Sequence, residues 1–312
     1  MEEIDKRYLQ NPHDKFFKEL FSEKEVVIQF ITQTFPKELP QNLSFDSLEL
    51  ENTSFVDEKL QEYFSDLVYH CLYQGQIPLK ITLLFEHKSF QPTIPVQFQL
   101  MQYMLKIWEQ NISQKEKLSP IIPVILYHGK NQWKKKDLSQ YFVNEGALDT
   151  QLARFLPQFD YLLTDLNTFQ DEEIKQIFQL VSLQTGLLLM KKIFEKQLEN
   201  DLKTIFATVN ELLKTEKGKK FFQTLLLYLY YGSNVDKDKI MDTMSQISLE
   251  AHEETMSLAK RLLLEGKLEG KLEGKLEGKL EVALKMLQNG FAPEEISLYT
   301  GLSLEIIRTL AQ

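Results

Sequence analysis

Two apolar segments with charges confined to their ends, joined by a short turn, constrain the fold of this chain most tightly. Residues 65–73 read Ser-Asp-Leu-Val-Tyr-His-Cys-Leu-Tyr, and residues 81–89 read Ile-Thr-Leu-Leu-Phe-Glu-His-Lys-Ser. Both runs are rich in β-branched and aromatic residues, which favour a pleated, half-buried surface. The connecting Gln74-Gly75-Gln76-Ile77-Pro78 has turn chemistry. Asp66 therefore opens one strand and the Glu86-His87-Lys88 triplet closes the other. Alternation along a strand sends Glu86 and Lys88 to the same side. Burying such charge is costly unless the groups are paired or hold a metal. Two carboxylates suit Mg²⁺, which takes one or two of them plus waters and phosphate oxygens. A neighbouring lysine can orient or deprotonate water, which completes the inventory for metal-assisted phosphodiester hydrolysis. The opposing reading is an edge hairpin whose rim carries a solvated Glu-Lys pair. Spacing alone does not separate the two, because 26 % of the residues are charged.

Ordered stretches along the chain carry a family resemblance. They are His13-Asp14-Lys15-Phe16-Phe17-Lys18, Ser65-Asp66-Leu67-Val68-Tyr69, Glu86-His87-Lys88-Ser89, and Tyr127-His128-Gly129 with Trp133. Together they resemble the recombination-promoting nuclease and putative transposase (Rpn) family of the PD-(D/E)XK nuclease superfamily. The likeness covers roughly residues 10–145 and weakens in the helical remainder. It implies an α/β fold with a restriction-endonuclease-like mixed sheet core flanked by helices. It further implies that Asp66 and Glu86, with the backbone carbonyl of His87, bind Mg²⁺ or Mn²⁺, and that Lys88 is the catalytic lysine. Family members often carry Gln where this chain has Lys88, so the triplet here lies nearer the superfamily pattern. Ser65 replaces the Pro of the superfamily name, a position where Pro is commonly absent. Gln99 and Tyr103 share one helix face and resemble the Gln-x-x-x-Tyr motif of RecB-like members. In that motif Gln orients the site and Tyr approaches the nucleic acid. An ordinary amphipathic helix, with Leu100, Met104 and Ile107 on its core face, accounts for the same spacing.

Around these motifs the chain organises itself. Asn11-Pro12 reads as a helix start, with Asn as cap and Pro at the first helical position. Asp14, with Glu19 behind it, is the candidate for the acidic residue that the first helix supplies in many superfamily members. The plain alternative is that Asp14 favours the helix N-terminus through the dipole. His13 either binds phosphate or caps. Ser22-Glu23-Lys24-Glu25 matches a capping box and predicts a second helix through Thr34, stopped by Pro36. Residues 45–55 predict a first strand, residues 95–109 a helix, and residues 119–127 a strand apolar throughout, as in parallel pairing. Strand, helix and strand then form a crossover. His128, at the end of that strand, is a substrate contact or a structural residue. Lys130, Lys134, Lys135 and Lys136 contact phosphates or decorate a solvated loop.

Residues 166–264 have helical periodicity and no metal-ligand or nucleophile–base spacing, which predicts a helical domain after a nuclease-like domain of residues 10–165. Glu-Gly-Lys-Leu then occurs four times over residues 265–280, with Glu281 following; residues 265–281 are read as a repeat helix or linker. On a helix its leucines form a stripe that drifts by about 40° per repeat. Each interior glycine costs about 1 kcal/mol relative to Ala, so the segment is marginal alone. A partner that packs the leucines would offset this, which predicts a homo-oligomer through residues 258–287. A solvated, partly frayed linker produced by repeat slippage fits equally. Residues 282–312 predict two short helices around Gly301, in the manner of a helix-turn-helix. Its second helix offers only Arg308 and Gln312 for reading bases.

Composition bounds the function. A net charge of −9 argues against a protein that coats nucleic acid through bulk charge, and leaves metal and local lysines to meet phosphate. The single cysteine, Cys71, excludes an intramolecular disulfide framework and fits a reducing compartment; mid-strand, it is a core residue. The first residues lack a basic-then-apolar signal, and no apolar run is long enough for a bilayer, so a cytoplasmic protein without a membrane partner is expected. The expected activity is Mg²⁺-dependent hydrolysis of DNA phosphodiesters, tied by the resemblance to recombination or mobile elements. The competing class is a catalytically inactive, oligomerising nucleic-acid- or protein-binding module on the same fold.

Overall fold

The alternation expected around Asp66 becomes an antiparallel meander. The structure, a computed structural model, describes residues 11–51, 65–86, 95–142, 149–158 and 160–310. Strands β1 (Leu43–Leu50), β2 (Ser65–Tyr73) and β3 (Ile77–Glu86) pair antiparallel in sequence order. Gln74 and Gly75 turn the β2–β3 hairpin with φ of 50° and 69°. Pro78 sits inside β3 opposite Leu72, so the turn is tighter than the sequence suggested. β4 (Ile121–Tyr127) and β5 (Leu162–Asp165) then add in parallel, completing a mixed sheet of order β1-β2-β3-β4-β5. β1 begins earlier than predicted, and its expected extension toward residue 55 lies outside the described residues.

Helices cover both faces. α1 (Pro12–Phe21) starts as predicted: the Asn11 side chain accepts from the Asp14 N–H at 3.3 Å, and Pro12 occupies the first turn. Phe16, Phe17, Leu20 and Phe21 are fully buried. The Tyr69 hydroxyl donates to the Phe21 carbonyl and ties α1 to β2. α2 (Lys24–Thr34) follows at once. Its expected capping box is absent: Glu23 is the cap residue and makes no side-chain cap bond, while Ser22 donates back to the Glu19 carbonyl at 2.9 Å. Only Ser22 and Glu23 separate the two helices, so Ser22 is consumed in closing α1.

α3 (Val96–Ser113) is the crossover between β3 and β4 and runs one turn beyond its expected end. Val96 and Leu100 pack with Ile125, Tyr127, Trp133 and Tyr161, while Tyr103 and Ile107 pack with Val68. Leu67, Val68 and Tyr69 are therefore all buried, as in a strand covered on both faces.

Beyond the sheet lie α4 (Asp171–Ile177), α5 (Val181–Lys192), α6 (Leu198–Ile205), α7 (Glu216–Gly232) and α8 (Lys237–Ile247). They belong to one compact unit with the sheet, residues 1–255; residues 256–312 form a second unit. The Phe16 and Tyr228 rings stack at 4.2 Å, joining α1 to α7. A Cβ on Gly186 would meet Leu20 Cδ2 at 2.8 Å, so α5 lies close against α1.

The repeat lies inside α9 (Leu249–Gln288), one continuous helix of 40 residues. Two short helices follow, α10 (Pro293–Thr300) and α11 (Leu304–Leu310), joined through Gly301 at φ +67°. Ala283, Ile296, Leu302 and Ile307 form their small core.

Candidate active site

The strand ends that the sequence singled out meet at one edge of the sheet. Asp66 stands opposite Leu84 in the β2–β3 ladder, so positions 66 and 86 are diagonal neighbours on the same face. Such neighbours lie about 7–8 Å apart. Glu86 is in register with Tyr127, and Tyr127 with Asp165. The C-terminal ends of three parallel strands and the start of β2 therefore converge, where open α/β sheets bind ligands. Asp66 and Glu86 are described through their backbone; His87 and Lys88 lie outside the described residues. Among the described residues no three His, Cys, Asp or Glu side chains are gathered to hold a metal. Positions 66 and 86, on neighbouring strands and two residues apart in register, are where carboxylates of this chain could hold a divalent ion.

Asp165, which the sequence reading missed, is a carboxylate in this row, but its oxygens are committed. It is 4 % exposed. Its Oδ2 accepts from the Trp133 backbone N–H at 2.8 Å, and Oδ1 from the Asn167 N–H and Nδ2, each at 2.9 Å. Asn167 Nδ2 also donates to the Gly129 carbonyl at 2.8 Å. Asp165 thus fixes the loop after β4, and with it Trp133, whose ring meets Tyr127 edge-on at 5.0 Å. The Asp-x-Asn spacing of an Asx-turn was the signal for it.

The other candidates have varied surroundings. Gln99 is half-buried on α3. Tyr103 is 1 % exposed and packs with Val68 and Ile107, a core position. Asp14 pairs with Lys18 at 3.3 Å, and Glu19 with Lys15 at 3.0 Å and with the Thr224 hydroxyl at 2.8 Å. His13 and His128 come together on the face away from α3, ring centroids 5.5 Å apart. Phe194 lies against both, at 5.0 and 5.2 Å. His13 Nδ1 shares a 2.9 Å hydrogen bond with the Tyr228 hydroxyl, whose proton burial holds well above its ordinary value. His128 Nδ1 donates to the Met190 carbonyl at 2.9 Å, since a carbonyl only accepts. This pair staples α1 and the end of β4 to α5 and α7. The cap of α1 is Asn11, not His13.

Lys130, Lys134, Lys135 and Lys136 are exposed on the loop after β4. Lys135 is bound to Asp160 at 2.5 Å and to the Tyr161 carbonyl at 2.7 Å, and its ammonium stands 4.7 Å over the Tyr161 ring. Lys136 stands 5.7 Å over the Tyr141 ring.

A second cluster that sequence reasoning missed occupies the same sheet face. Lys80 is 2 % exposed, and its ammonium binds both oxygens of Glu51 at 3.1 and 3.2 Å. His70 Nε2 reaches Glu51 at 3.2 Å. Burial pushes the Glu51 carboxyl up, but its bonds from His70 and Lys80 outweigh that and hold it below the usual carboxylate range. The Glu51 N–H donates to the Val68 carbonyl, two residues from Asp66. A lysine in the middle of an apolar strand was the signal, because it requires a partner.

With this geometry in view, the comparison with known proteins is decisive for family. The family described as "Putative transposase, YhgA-like" matches residues 11–220. The chain belongs to that family. Recombination-promoting nuclease RpnA of Escherichia coli (strain K12) is 24 % identical over 310 residues, 99 % of this chain and 100 % of RpnA. Recombination-promoting nuclease RpnD of Escherichia coli O157:H7 is 28 % identical over 259 residues, 80 % of this chain and 94 % of RpnD. The inactive recombination-promoting nuclease-like protein RpnE of Escherichia coli (strain K12) is 27 % identical over 295 residues, 94 % and 95 % of the two chains. No solved structure matches the chain. Among the described residues no helix is long and apolar enough to cross a membrane.

Proposed function

We propose that this YhgA-like family member is a divalent-metal-dependent nuclease that hydrolyses DNA phosphodiester bonds during recombination. The observation that carries this reading is the register of Asp66 and Glu86 on adjacent strands, at the sheet edge where three parallel strands end. Asp66, Glu86 and the backbone carbonyl of His87 would hold Mg²⁺ or Mn²⁺. The bound ion would supply Lewis-acid activation of water and charge stabilisation at the phosphate. Lys88 orients the attacking water by donating from its ammonium, or as the neutral amine accepts the water's proton at Nζ and becomes the ammonium. Gln99, half-buried on the crossover helix, orients the carboxylate row. Lys130, Lys134 and Lys136 meet the phosphates of the strand on either side of the scissile bond, where a protein of net charge −9 has need of local cations.

The second reading, an inactive DNA-binding module, is favoured by the relative named as inactive, RpnE. Supercoiled plasmid incubated with Mg²⁺ or with EDTA separates the two. Metal-dependent nicking is expected, with a loss of at least about 100-fold in Asp66→Ala and Glu86→Ala while circular dichroism stays unchanged. Full nicking by Glu86→Ala would overturn the assignment.

A further inference from the structure

The crossover helix α3 is apolar on two sides, and the fold of the chain covers one of them. Leu100, Tyr103 and Ile107 are buried on the sheet side. Phe98, Leu105 and Ile112 recur every seven residues on another side and are 38 %, 54 % and 65 % exposed. Met101 and Trp108, half-buried, fall between them. Trp108 is fixed there by the bond from its Nε1 to the Ser119 carbonyl at 2.9 Å. Residues three and four apart are neighbours on a helix surface, so these five side chains form one continuous stripe. Alternating three- and four-residue spacing is the pattern of a seam between two helices, narrower than the face a helix turns to a globular core. A contiguous exposed apolar strip marks a surface that meets something, which scattered single side chains do not.

The flank of the stripe narrows the partner. Its exposed positions are Gln102, Lys106, Glu109 and Ser113. Their charges cancel, and Lys106 already binds Glu109 at 3.1 Å. A strongly basic or acidic partner gains nothing from such a flank. A second copy of this chain does: two copies carry the same net charge of −9, and a neutral strip is where they meet with least repulsion. The stripe is also symmetrical about its middle. A two-fold axis through Leu105 sets Phe98 of one copy against Ile112 of the other and Leu105 against Leu105. It brings each Glu109 beside Gln102 of the other copy, an amide that can donate to it, rather than beside a second carboxylate. Such self-complementarity is what a two-fold contact requires. The 18 residues of α3 make a strip about 27 Å long and about 10 Å wide, so each copy buries about 300 Å², against about 800 Å² in a stable interface. The pairing is therefore a transient one.

We infer that the outer face of α3 is a self-association surface, on which α3 of a second copy packs antiparallel about a two-fold axis at Leu105. The contact forms at about 100 µM chain and is released at about 1 µM, in the range of transient encounters. It requires neither a bound metal nor cleavage, and it is separate from the repeat of residues 265–281.

The test is site-specific cross-linking of the full chain with a short bismaleimide. The single native cysteine, Cys71, is buried, so the wild type supplies the background. Leu105→Cys at about 100 µM is expected to give at least tenfold more covalent dimer than Glu172→Cys, an exposed position on α4 that reports chance collision. Adding Phe98→Lys and Ile112→Lys, both at exposed positions, should reduce the yield to the collision level while circular dichroism stays unchanged. Adding Leu268→Lys and Leu276→Lys instead should leave the yield as it was; its loss would assign the association to the repeat and overturn the inference. At about 1 µM, where the chains are single, the Leu105→Cys thiol should react fully with a monofunctional maleimide. A thiol protected at that concentration would mean that the chain's own segments cover the stripe, and a yield no higher than from Glu172→Cys would mean that no second copy does; either result overturns the inference.

Discussion

At the scale of single residues, burial decides which charges work and which hold structure. Asp165 stands in the same register row as Glu86, yet its oxygens are taken by two backbone N–H groups and an amide, so it anchors a loop. Lys80 and Glu51 show the same logic as an ion pair. Removing one partner of a buried pair leaves the other charge unpaired, at a cost of about 3–5 kcal/mol, whereas replacing the charge by an apolar side chain of similar volume is often neutral. Glu51→Ala should therefore lower the urea-unfolding free energy by about 3 kcal/mol, and the double variant Glu51→Leu with Lys80→Met should recover most of it. The pH dependence follows from the depressed Glu51 titration. Its contribution is full above the ordinary carboxylate range and is lost as pH falls through the lower, folded value. Wild type should lose stability along that acid limb more steeply than Glu51→Gln, measured by urea midpoints at successive pH values. Parallel limbs would remove Glu51 as a source of acid lability.

Among the elements, the glycines separate packing from propensity. A Cβ on Gly218 would stand 1.8 Å from the Leu212 carbonyl oxygen, a backbone atom that cannot swing away. Gly266, Gly270, Gly274 and Gly278 have nothing within 4 Å of a built Cβ. Helix propensity alone predicts that Gly→Ala stabilises each site by about 1 kcal/mol. Sterics reverse that at Gly218, so Gly218→Ala should lower the melting temperature, and the fourfold Gly→Ala repeat variant should raise helicity by circular dichroism. The repeat also leaves Leu268 at 60 % and Leu276 at 47 % exposure, two apolar side chains on a helix that is marginal alone. Self-association through residues 258–287 would cover them. Sedimentation of the full chain should then show a concentration-dependent oligomer that Leu268→Lys with Leu276→Lys dissociates; identical sedimentation of both proteins would rule out this role.

For the whole molecule, two compact units imply uneven resistance to opening. The sheet and helices α1 to α8 belong to one compact unit, whereas among the described residues of 256–312 the clustered apolar side chains are the few around Ala283, Ile296, Leu302 and Ile307. The repeat places four lysines, Lys267, Lys271, Lys275 and Lys279, among glycines on a surface helix. Local opening costs least where apolar contacts are few. Brief trypsin treatment should cut first within residues 265–281 and leave a protected fragment that retains residues 11–255. First cleavage inside α5 or α7 would contradict this order of stability.

Much of the molecule was legible in the residues. Runs of apolar, β-branched and aromatic residues located β2, β3 and β4, and the Asn11-Pro12 signal located the start of α1, because strand composition and capping are local properties. The ordered motifs pointed to the family that the match over residues 11–220 shows. β5 escaped notice, since four residues carry too little periodicity to register. The capping box expected at Ser22 failed because two adjacent helices competed for one serine.

The chain's own order of residues thus marked β2, β3, β4 and the first helix. Only the tertiary structure set positions 66 and 86 on one face, spent Asp165 on a loop, joined His13 to His128, and paired Lys80 with Glu51. The physical reason is range: backbone preference acts over a few residues, whereas burial and pairing depend on which distant segments the sheet brings together.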